Sequence, residues 1–443
     1  MGKYQAYPEY EDTKVQWLPD LPQHWGIERI KRMLRLKRTL VGKKSSEYQL
    51  LSLTLKGIIT RDISTGEGKI PESFDTYQEV EKNDLVFCLF DMDETPRTVG
   101  LSALDGMITG AYNVYGCLDK CYPAYASYYF LHIDKFKGLR PFYTGLRKVV
   151  RSETFDNIEI PCPPYEEQTQ IANFLDHETA KIDTLIEKQQ QLIKLLKEKR
   201  QAVISHAVTK GLNPQAPMKD SGVEWLGEVP EHWAVMKFNH CAQIRNGLVD
   251  PKGTKYRDMV LYAPNHIEKA TGKVLYRETA SEQGADSNKY LCYQGEVIYS
   301  KIRPALAKVA ICTEELALCS ADMYPISCIN GLTNEWLYWF MLSDSFTKAV
   351  VLDSDRVAMP KVNRESLGDY KIPFPTESEQ SDISSHIKAQ TQKLDVLEAK
   401  ANNAIKLMQE RRTALISAAV TGKIDVRNWQ APISQEQALE QTA

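Results

Sequence analysis

Apolar residues recur at alternating steps of three and four along two stretches of the chain. In the first stretch they are Ile171, Leu175, Ile182, Leu185, Leu192, Leu196 and Val203, and in the second Ile383, Ile387, Leu394, Leu397, Ala401, Ala404, Met408 and Leu415. This spacing is typical of a coiled-coil seam. Prolines precede each stretch, and proline does not fit a helix interior. The pattern therefore predicts two long helices that pair with each other, and the alternative is two separate surface helices.

The two stretches are copies of one sequence. Residues 160–209 align with 372–421 without a gap, and about 22 of 50 positions are identical. Both seams are interrupted at the same places, by Glu178 and Gln390 and again by Lys199 and Arg411, which favours pairing in one fixed register. The segment 17–25, which begins and ends with tryptophan, recurs at 225–233. The chain is thus a tandem duplication, and we expect these tryptophans to pack as hydrophobic anchors.

Each half also contains a variable region of mixed α/β character. Short β-rich runs are found at Leu50–Thr54, Asp84–Leu89 and Gly295–Ser300. An aromatic, helix-like segment follows late in each half, at Tyr125–Leu131 and Glu335–Leu342. Aromatic stripes of this kind are more often core than platforms for base stacking, so we expect both segments to be buried.

The overall charge of the chain and its local clusters of basic residues point to different partners. A net charge of −3 and a pI near 6.3 argue mildly against a nucleic-acid partner. Basic residues nevertheless cluster four times outside the predicted long helices, within 29–44, 135–151, 301–308 and 356–364. A single basic cluster is usually a solvated face, whereas four of them favour contacts with phosphate. The nine scattered cysteines, the absence of an 18-residue apolar run and a polar N-terminus predict a cytoplasmic protein with reduced thiols.

A search for catalytic chemistry gives a negative result. The chain has no phosphate-binding G-x-x-x-x-G-K-[ST] loop and no G-x-G-x-x-G, and its eight histidines fall at no metal-ligand spacing. Pro163-Pro164-Tyr165 is similar to the proline-proline-aromatic tripeptide of amino-methyltransferases, but Cys162 stands where an Asn or Asp is required. We therefore predict no catalytic residue, no metal and no cofactor.

The order of these motifs resembles one known family, the specificity subunit of type I restriction-modification systems. The resemblance covers nearly the whole chain. It rests on Tyr7-Pro8-Glu9-Tyr10, the paired Trp-x7-Trp segments, both Ile-Pro-x-Pro…Glu-Gln helix starts, Thr421-Gly422-Lys423-Ile424-Asp425, and the segments Gly106–Tyr115 and Ser300–Pro304.

The resemblance implies an α+β fold with two mixed α/β target-recognition domains, two long antiparallel coiled-coil helices and an internal pseudo-two-fold duplication. The expected divisions are target-recognition domain 1 at 1–157, a central long helix at 158–210, a linker with target-recognition domain 2 at 211–369, a second long helix at 370–425 and a polar tail at 426–443. It further implies a non-catalytic subunit that reads a bipartite, asymmetric site in double-stranded DNA. The implied protein partners are two methyltransferase subunits and two restriction subunits, with no membrane.

Side chains that could contact such a site are those that suit phosphates or base edges. In the first half the candidates are Lys43, Lys44, Lys56, Arg61, Arg97, Tyr112, Asn113, Arg147 and Arg151, and in the second Arg245, Asn246, Lys252, Lys255, Asn265, His266, Lys301, Arg303, Arg356 and Lys361. Two other functions remain open from the residues alone. One is a coiled-coil scaffold that binds only protein, and the other is a DNA methyltransferase with its own cofactor site.

Overall fold

The computed structural model describes residues 4–15, 17–62, 73–354 and 360–431. Its contacts divide into two compact units, one formed by residues 1–188 with 404–443 and the other by 189–403. We call them unit 1 and unit 2. Two long helices each contribute one segment to each unit, because the divisions at 188 and 403 fall inside them.

Unit 1 is built from short strands and a few helices that precede the first long helix. Its strands are β1 (Tyr10–Glu11), β2 (Leu21–Pro22), β3 (Gly26–Arg29), β4 (Leu34–Lys37), β5 (Leu51–Thr54), β6 (Gly57–Thr60), β7 (Gln78–Val80), β8 (Leu85–Phe87), β9 (Val99–Leu101), β10 (Gly106–Ile108), β11 (Asn113–Cys117) and β12 (Glu159–Cys162). Its helices are α1 (Ile30–Met33), α2 (Pro123–Lys135), α3 (Ser152–Asp156) and the first part of α4 (Tyr165–Lys210).

Unit 2 repeats this plan after the end of α4. Its strands are β13 (Met218–Asp220), β14 (Glu228–Pro230), β15 (Ala234–Lys237), β16 (Ala242–Ile244), β17 (Leu248–Val249), β18 (Leu261–Tyr262), β19 (Lys289–Tyr293), β20 (Val297–Ser300), β21 (Val309–Ile311), β22 (Leu316–Cys319), β23 (Met323–Cys328) and β24 (Lys371–Phe374). Its helices are α5 (Phe238–Cys241), α6 (Asn334–Met341), α7 (Asp344–Ser354), α8 (Arg364–Asp369) and the first part of α9 (Glu377–Val420).

The central sheets of the two units have the same topology. The strand order is β4-β11-β8-β9 in unit 1 and β16-β23-β20-β21 in unit 2, with antiparallel neighbours. The turns before β8 and β20 contain Asn83 at φ 74° and Gly295 at φ 84°, residue types that tolerate a positive φ. Unit 2 adds a second sheet, β17-β19-β22-β18, in which β18 and β22 are parallel. The duplication therefore extends into the variable regions.

Aromatic side chains of the helices form the cores against these sheets. In unit 1 the Phe87 ring on β8 meets Phe130 of α2 at 4.9 Å and Phe155 of α3 at 5.0 Å. In unit 2 the fully buried Trp336 of α6 lies edge-on to Trp233, with ring centroids 5.6 Å apart. The prediction that the aromatic helical segments are core is confirmed, since both segments supply buried aromatic side chains.

The long helices run antiparallel within unit 2. Lys197 of α4 pairs with Glu398 of α9 at 3.3 Å, and Arg200 pairs with Asp395 at 2.7 Å. Three residues forward along α4 thus correspond to three residues back along α9. In unit 1 the same two helices are linked by Arg412 and Asp183 at 3.0 Å. No helix in the described ranges is long and apolar enough to cross a membrane.

The predicted seam is buried at some of its positions and exposed at others. Ile171 and Leu175 of α4 are fully buried, as are Ile383 and Ile387 of α9, because these turns pack against the cores of their units. Ile182, Leu196, Leu394 and Ala401 further along the helices are buried as well, whereas the exposed fractions of Leu185, Leu192 and Leu397 are 49%, 41% and 47%. The heptad pattern therefore predicts the helices correctly but overstates the continuity of the buried seam.

The interruption of the seam at Glu178 has a local explanation. This side chain is buried and accepts a hydrogen bond from the Tyr4 hydroxyl at 2.8 Å and one from Lys181 Nζ at 3.2 Å. A buried carboxylate is costly unless it is hydrogen-bonded. The N-terminal segment thus supplies one of the donors that this carboxylate needs.

A buried glutamine fixes the start of each long helix to the loop before the aromatic helix. Gln168 Oε1 accepts from the Tyr122 backbone N–H at 2.9 Å, and Nε2 donates to the carbonyls of Lys120 and Pro163, both at 2.9 Å. Its repeat partner Gln380 makes the equivalent bonds to Thr333 at 2.8 Å and to Gly331 and Pro375 at 3.0 Å. The Glu-Gln pair found at each predicted helix start is therefore a structural joint.

Candidate nucleic-acid interface

In unit 2, Arg364 lies at the centre of a cluster of basic and aromatic side chains. Its guanidinium donates to the carbonyls of Ile244 at 3.2 Å and Arg245 at 2.7 Å, and to Asn246 Oδ1 at 2.8 Å. Arg364 is the first residue of α8, so these bonds tie that helix to the end of β16.

The same guanidinium lies over two tyrosine rings. Its central carbon is 5.4 Å from the Tyr290 centroid and 5.2 Å from the Tyr324 centroid. Lys301 Nζ approaches Tyr324 at 5.6 Å. Cation–π contacts of this kind keep a cation oriented without neutralising its charge.

Arg245 adds a second oriented cation. It forms an ion pair with the buried Glu296, whose hydrogen bonds raise the pKa of Arg245, and its guanidinium lies 4.5 Å from the Tyr293 centroid. Ser327 Oγ and the Tyr293 backbone N–H also donate to Glu296, at 2.6 Å and 2.9 Å. Glu296 is thus a fixed anchor, and Arg245 is held in one orientation.

We call this group the basic–aromatic surface of unit 2. It consists of Arg245, Asn246, Lys301 and Arg364 with Tyr290, Tyr293 and Tyr324. Guanidinium and amide groups are the donors and acceptors that bind phosphates and base edges, and the exposed Tyr293 offers an aromatic face of the kind that stacks on bases, whereas Tyr324 is buried. Held in place before binding, these side chains lose little conformational entropy when a ligand arrives.

Unit 1 has the same anchor with a different cation. Lys37, at the end of β4, bonds to the buried Asp84 at 2.8 Å and to Glu81 at 2.5 Å. Lys37 and Asp84 occupy the positions that Arg245 and Glu296 hold in unit 2, at the end of the first sheet strand and just before the third. Burial raises the pKa of Asp84, whereas the hydrogen bond from Lys37 lowers it.

The position equivalent to Arg364 is occupied in unit 1 by Ser152. It is the first residue of α3, and its hydroxyl accepts a hydrogen bond from Asn113 Nδ2 at 3.2 Å. Asn113 on β11 stands where Tyr324 stands on β23, since Asn113 pairs with Phe87 and Tyr324 with Tyr299. The units therefore present a polar amide–hydroxyl pair and a cationic arginine–tyrosine pair on the same scaffold.

A basic cavity lies beside the Lys37 anchor. Its volume is about 370 Å³, and it is lined by Arg35, Leu36, Lys37, Arg38, Thr39, Glu79 and Glu81. Arg35 and Arg38 are exposed at its rim. The first basic cluster of the sequence thus forms a surface of unit 1 in which Lys37 is the fixed member.

The structure places most predicted contact residues at the surface, but not in one group. The exposed ones are Lys43, Lys44, Lys56, Arg147, Arg151, Asn246, Lys252, Lys255, Asn265, Arg303 and Lys361, and the half-buried ones are Arg61, Arg97, Tyr112, Asn113, Arg245 and Lys301. Of these, Arg245, Asn246 and Lys301 belong to the basic–aromatic surface. Arg303 and Lys361 are adjacent to one another through the Arg303 N–H bond to Pro360 at 3.0 Å. Arg356 lies outside the described residues.

Three predicted contacts require correction or qualification. His266 is 1% exposed, and its Nδ1 and Nε2 are bonded to Leu261 O at 2.7 Å and to Glu278 at 3.1 Å. It stabilises its loop, and we remove it from the contact set. Arg97 donates to backbone carbonyls beside a cavity, and Arg147 is paired with Asp91 at 2.5 Å. Both side chains are thus bonded within the chain, but Arg147 is still 68% exposed, and both stay predicted contacts.

Sequence reasoning missed the centre of the surface. Arg364 was recognised as part of a basic cluster, but not as a contact residue, and Tyr290, Tyr293 and Tyr324 were not selected. Their only sequence signal is a tyrosine at intervals along β-rich runs, which is also the signal of ordinary strand packing. Within the described residues, no group of His, Cys, Asp and Glu is arranged to hold a metal ion.

Comparison with known proteins decides the family. The family model described as "Type I restriction modification DNA specificity domain" matches residues 113–195 and 230–407, which is more than half of the chain. The chain belongs to this family. The second matched range contains the whole basic–aromatic surface, and the first contains Asn113 and Ser152.

A curated relative is the type I restriction enzyme EcoDI specificity subunit of Escherichia coli. It is 31% identical over 297 residues, covering 64% of this chain and 66% of that protein. The chain thus aligns with slightly less than two thirds of the length of this relative.

Solved structures show the same fold. A chain from a study of complex assembly and conformational transition of the type I R-M system has a TM-score of 0.63 at 14% identity, with 91% of this chain and 99% of that chain covered. The HsdS subunit from Thermoanaerobacter tengcongensis has a TM-score of 0.52 at 15% identity, with 93% and 100% covered. The predicted α+β fold of this specificity family, with duplicated domains and long helices, is confirmed.

Proposed function

We propose that the chain is the sequence-specific DNA-binding subunit of a type I restriction-modification complex. Each unit reads one half of a bipartite, asymmetric site in double-stranded DNA. The observation that carries this proposal is the shared scaffold with different side chains at equivalent positions, Arg364 with Tyr324 in one unit and Ser152 with Asn113 in the other.

The chemistry of the two surfaces suits different bases. An arginine fork pairs with guanine O6 and N7, whereas an asparagine amide pairs with adenine N6 and N7. Two non-identical readers joined in one chain match a site whose halves differ, because a symmetric dimer would select a palindrome.

In this proposal the chain performs no catalysis. Two methyltransferase subunits and two restriction subunits act at the site that it selects, and the relatives' family description and names support this assignment. The chain works in the cytoplasm, where its DNA target lies and where its nine unpaired cysteines stay reduced.

Fluorescence anisotropy tests the proposal, with a labelled duplex that carries the DNA site at which the complex methylates. The complex that co-purifies with the full-length chain is titrated at two salt concentrations, with a scrambled duplex of equal length as control. We expect preference for the intact site and a steep loss of affinity with salt, because phosphate contacts release counterions. Equal affinity for both duplexes would favour a protein-binding scaffold. Methyl transfer by the chain free of other subunits would favour a methyltransferase.

A further inference from the structure

Unit 1 contains a second basic cavity, which shares no lining residue with the cavity beside the Lys37 anchor. Its volume is about 440 Å³, within the range of small-molecule sites. It lies between the segment before β9, the end of α2 and the last turns of α9. The lining residues on which its chemistry depends are Arg97, His132, Lys135, Lys137, Arg412 and Thr413.

The acidic residues of this cavity are already neutralised. Asp134 accepts hydrogen bonds from the Thr98 N–H at 2.9 Å and from Lys137 Nζ at 3.1 Å. Asp93 is bound by Arg140 at 3.1 Å and by Lys148 at 3.3 Å. Both carboxylates therefore have cationic partners of their own.

Two of the remaining cations, Arg97 and Lys135, have no carboxylate partner among the described residues. Arg97 donates to the carbonyls of Val99 at 2.8 Å and Leu55 at 2.9 Å, and no carboxylate in the described part of the chain lies within ion-pair distance of it. Arg412 uses its Nε for Asp183, and Lys135 forms no ion pair with any described residue. Burial and the repulsion of Arg412 lower the pKa of Arg97, so the two arginines destabilise each other when the cavity holds no anion.

One further polar atom of the lining has no partner. Nδ1 of His132 is buried and makes no hydrogen bond with described residues. A buried unpaired nitrogen is destabilising, and a ligand oxygen or hydroxyl would remove that cost. The side chains of Leu55, Pro96, Leu131 and Ile416 complete the lining with apolar surface.

We propose that this cavity binds the phosphate group of a small organic phosphate. Guanidinium groups bind phosphate oxygens with paired N–H donors, Lys135 adds charge, and the apolar side chains cover the organic part of the ligand. The inference is independent of the basic–aromatic surface, since no member of that surface lines the cavity.

Isothermal titration calorimetry of the full-length chain tests the inference, with inorganic phosphate, ATP and adenosine as probes. We expect phosphate and ATP to bind and adenosine to give no heat. Lys135→Met should weaken phosphate binding about threefold to tenfold, and Arg97→Met by more than tenfold. Arg97 also bonds to backbone carbonyls, and its replacement could therefore prevent folding. Lys135 is exposed, so the Lys135 variant tests the inference even if the Arg97 variant fails to fold.

Lys82→Met is the matched control, because Lys82 is an exposed lysine of the same unit outside the cavity. It should bind phosphate as the unchanged chain does. A short DNA duplex is then added to the phosphate-loaded chain to identify the source of the bound phosphate group. Displacement of the phosphate by the duplex would show that the cavity binds the DNA backbone, and retention would show that it binds a free phosphate. No heat with either phosphate or ATP, or equal affinity in the Lys135 variant and the unchanged chain, would overturn the inference.

Discussion

Trp25 donates its indole N–H to Glu167 at 2.8 Å, whereas the equivalent indole N–H of Trp233 is buried and makes no hydrogen bond with the described residues. Glu167 also accepts from the Tyr7 hydroxyl and bonds to His24 at 2.8 Å. Its repeat partner Glu379 bonds only to the exposed His232, at 3.0 Å, among the contacts described. The same sequence motif therefore makes a buried network in unit 1 and a surface pair in unit 2.

This asymmetry predicts unequal effects of equivalent substitutions. Glu167→Ala should lower the free energy of unfolding by about 2–4 kcal/mol, because it leaves buried donors unpaired. Glu379→Ala should cost less than about 1 kcal/mol, as expected for an exposed ion pair. Urea denaturation followed by tryptophan fluorescence measures both, and equal losses would show that the network does not stabilise unit 1.

Arg364 is expected to dominate recognition by unit 2. Arg364→Ala should reduce affinity for the DNA site about 10- to 100-fold, because a bidentate pair with a base contributes about 1–3 kcal/mol of discrimination. Arg364→Lys should not restore the affinity, since an ammonium lacks the planar fork. Competition with duplexes altered in one half at a time measures which half-site is lost.

Arg277→Ala is the matched control for that experiment. Arg277 is an arginine of the same unit, 54% exposed and paired with Glu314 at 2.9 Å, away from the basic–aromatic surface. It should leave the preference for both half-sites unchanged. If the Arg277 and Arg364 variants lose affinity equally, the role of Arg364 is general electrostatic attraction.

Stability should fall in mild acid because of His132. Burial and the charge of Lys423 lower the pKa of His132 to about 4. In the unfolded chain the imidazole takes up its proton near pH 6.5, whereas in the folded chain it does so only near pH 4. Its contribution is therefore complete above pH 6.5 and is lost as the pH falls towards 4.

His132→Gln removes this titration. Between pH 7.5 and pH 5 the unchanged chain should lose about 1–2 kcal/mol more of its unfolding free energy than the variant does. The exposed His240 provides the control, and His240→Gln should leave the pH dependence unaltered. Parallel pH curves for the His132 variant and the unchanged chain would contradict the assignment.

The spacing of apolar residues and the short β-rich runs were sufficient to predict the main helices and several strands. The heptad spacing predicted α4 and α9, and the β-rich runs correspond to β5, β8 and β20. These features depend on local sequence, which is why one chain contains enough information to locate them.

The site could be predicted only in part, because it depends on tertiary neighbours. The predicted contacts Arg245 and Asn246 lie in the basic–aromatic surface, whereas the place of Arg364 depends on Tyr290 and Tyr324, which are distant in sequence. His266 was misassigned because a histidine after Pro-Asn is equally compatible with a loop surface and with a buried hydrogen-bonded position. Burial is decided by packing, and the sequence around His266 does not show it.

The central claim is that each unit reads its own half of the site. Replacing residues 234–369 with the matching region of a relative exchanges most of unit 2, including Arg245 and Arg364, while Asn113 and Ser152 remain in unit 1. Sequencing of methylated sites in cells that carry the complex with the exchanged chain is the most direct test. The account predicts that one half-site changes and the other stays the same, whereas a change in both half-sites, or in neither, would contradict it.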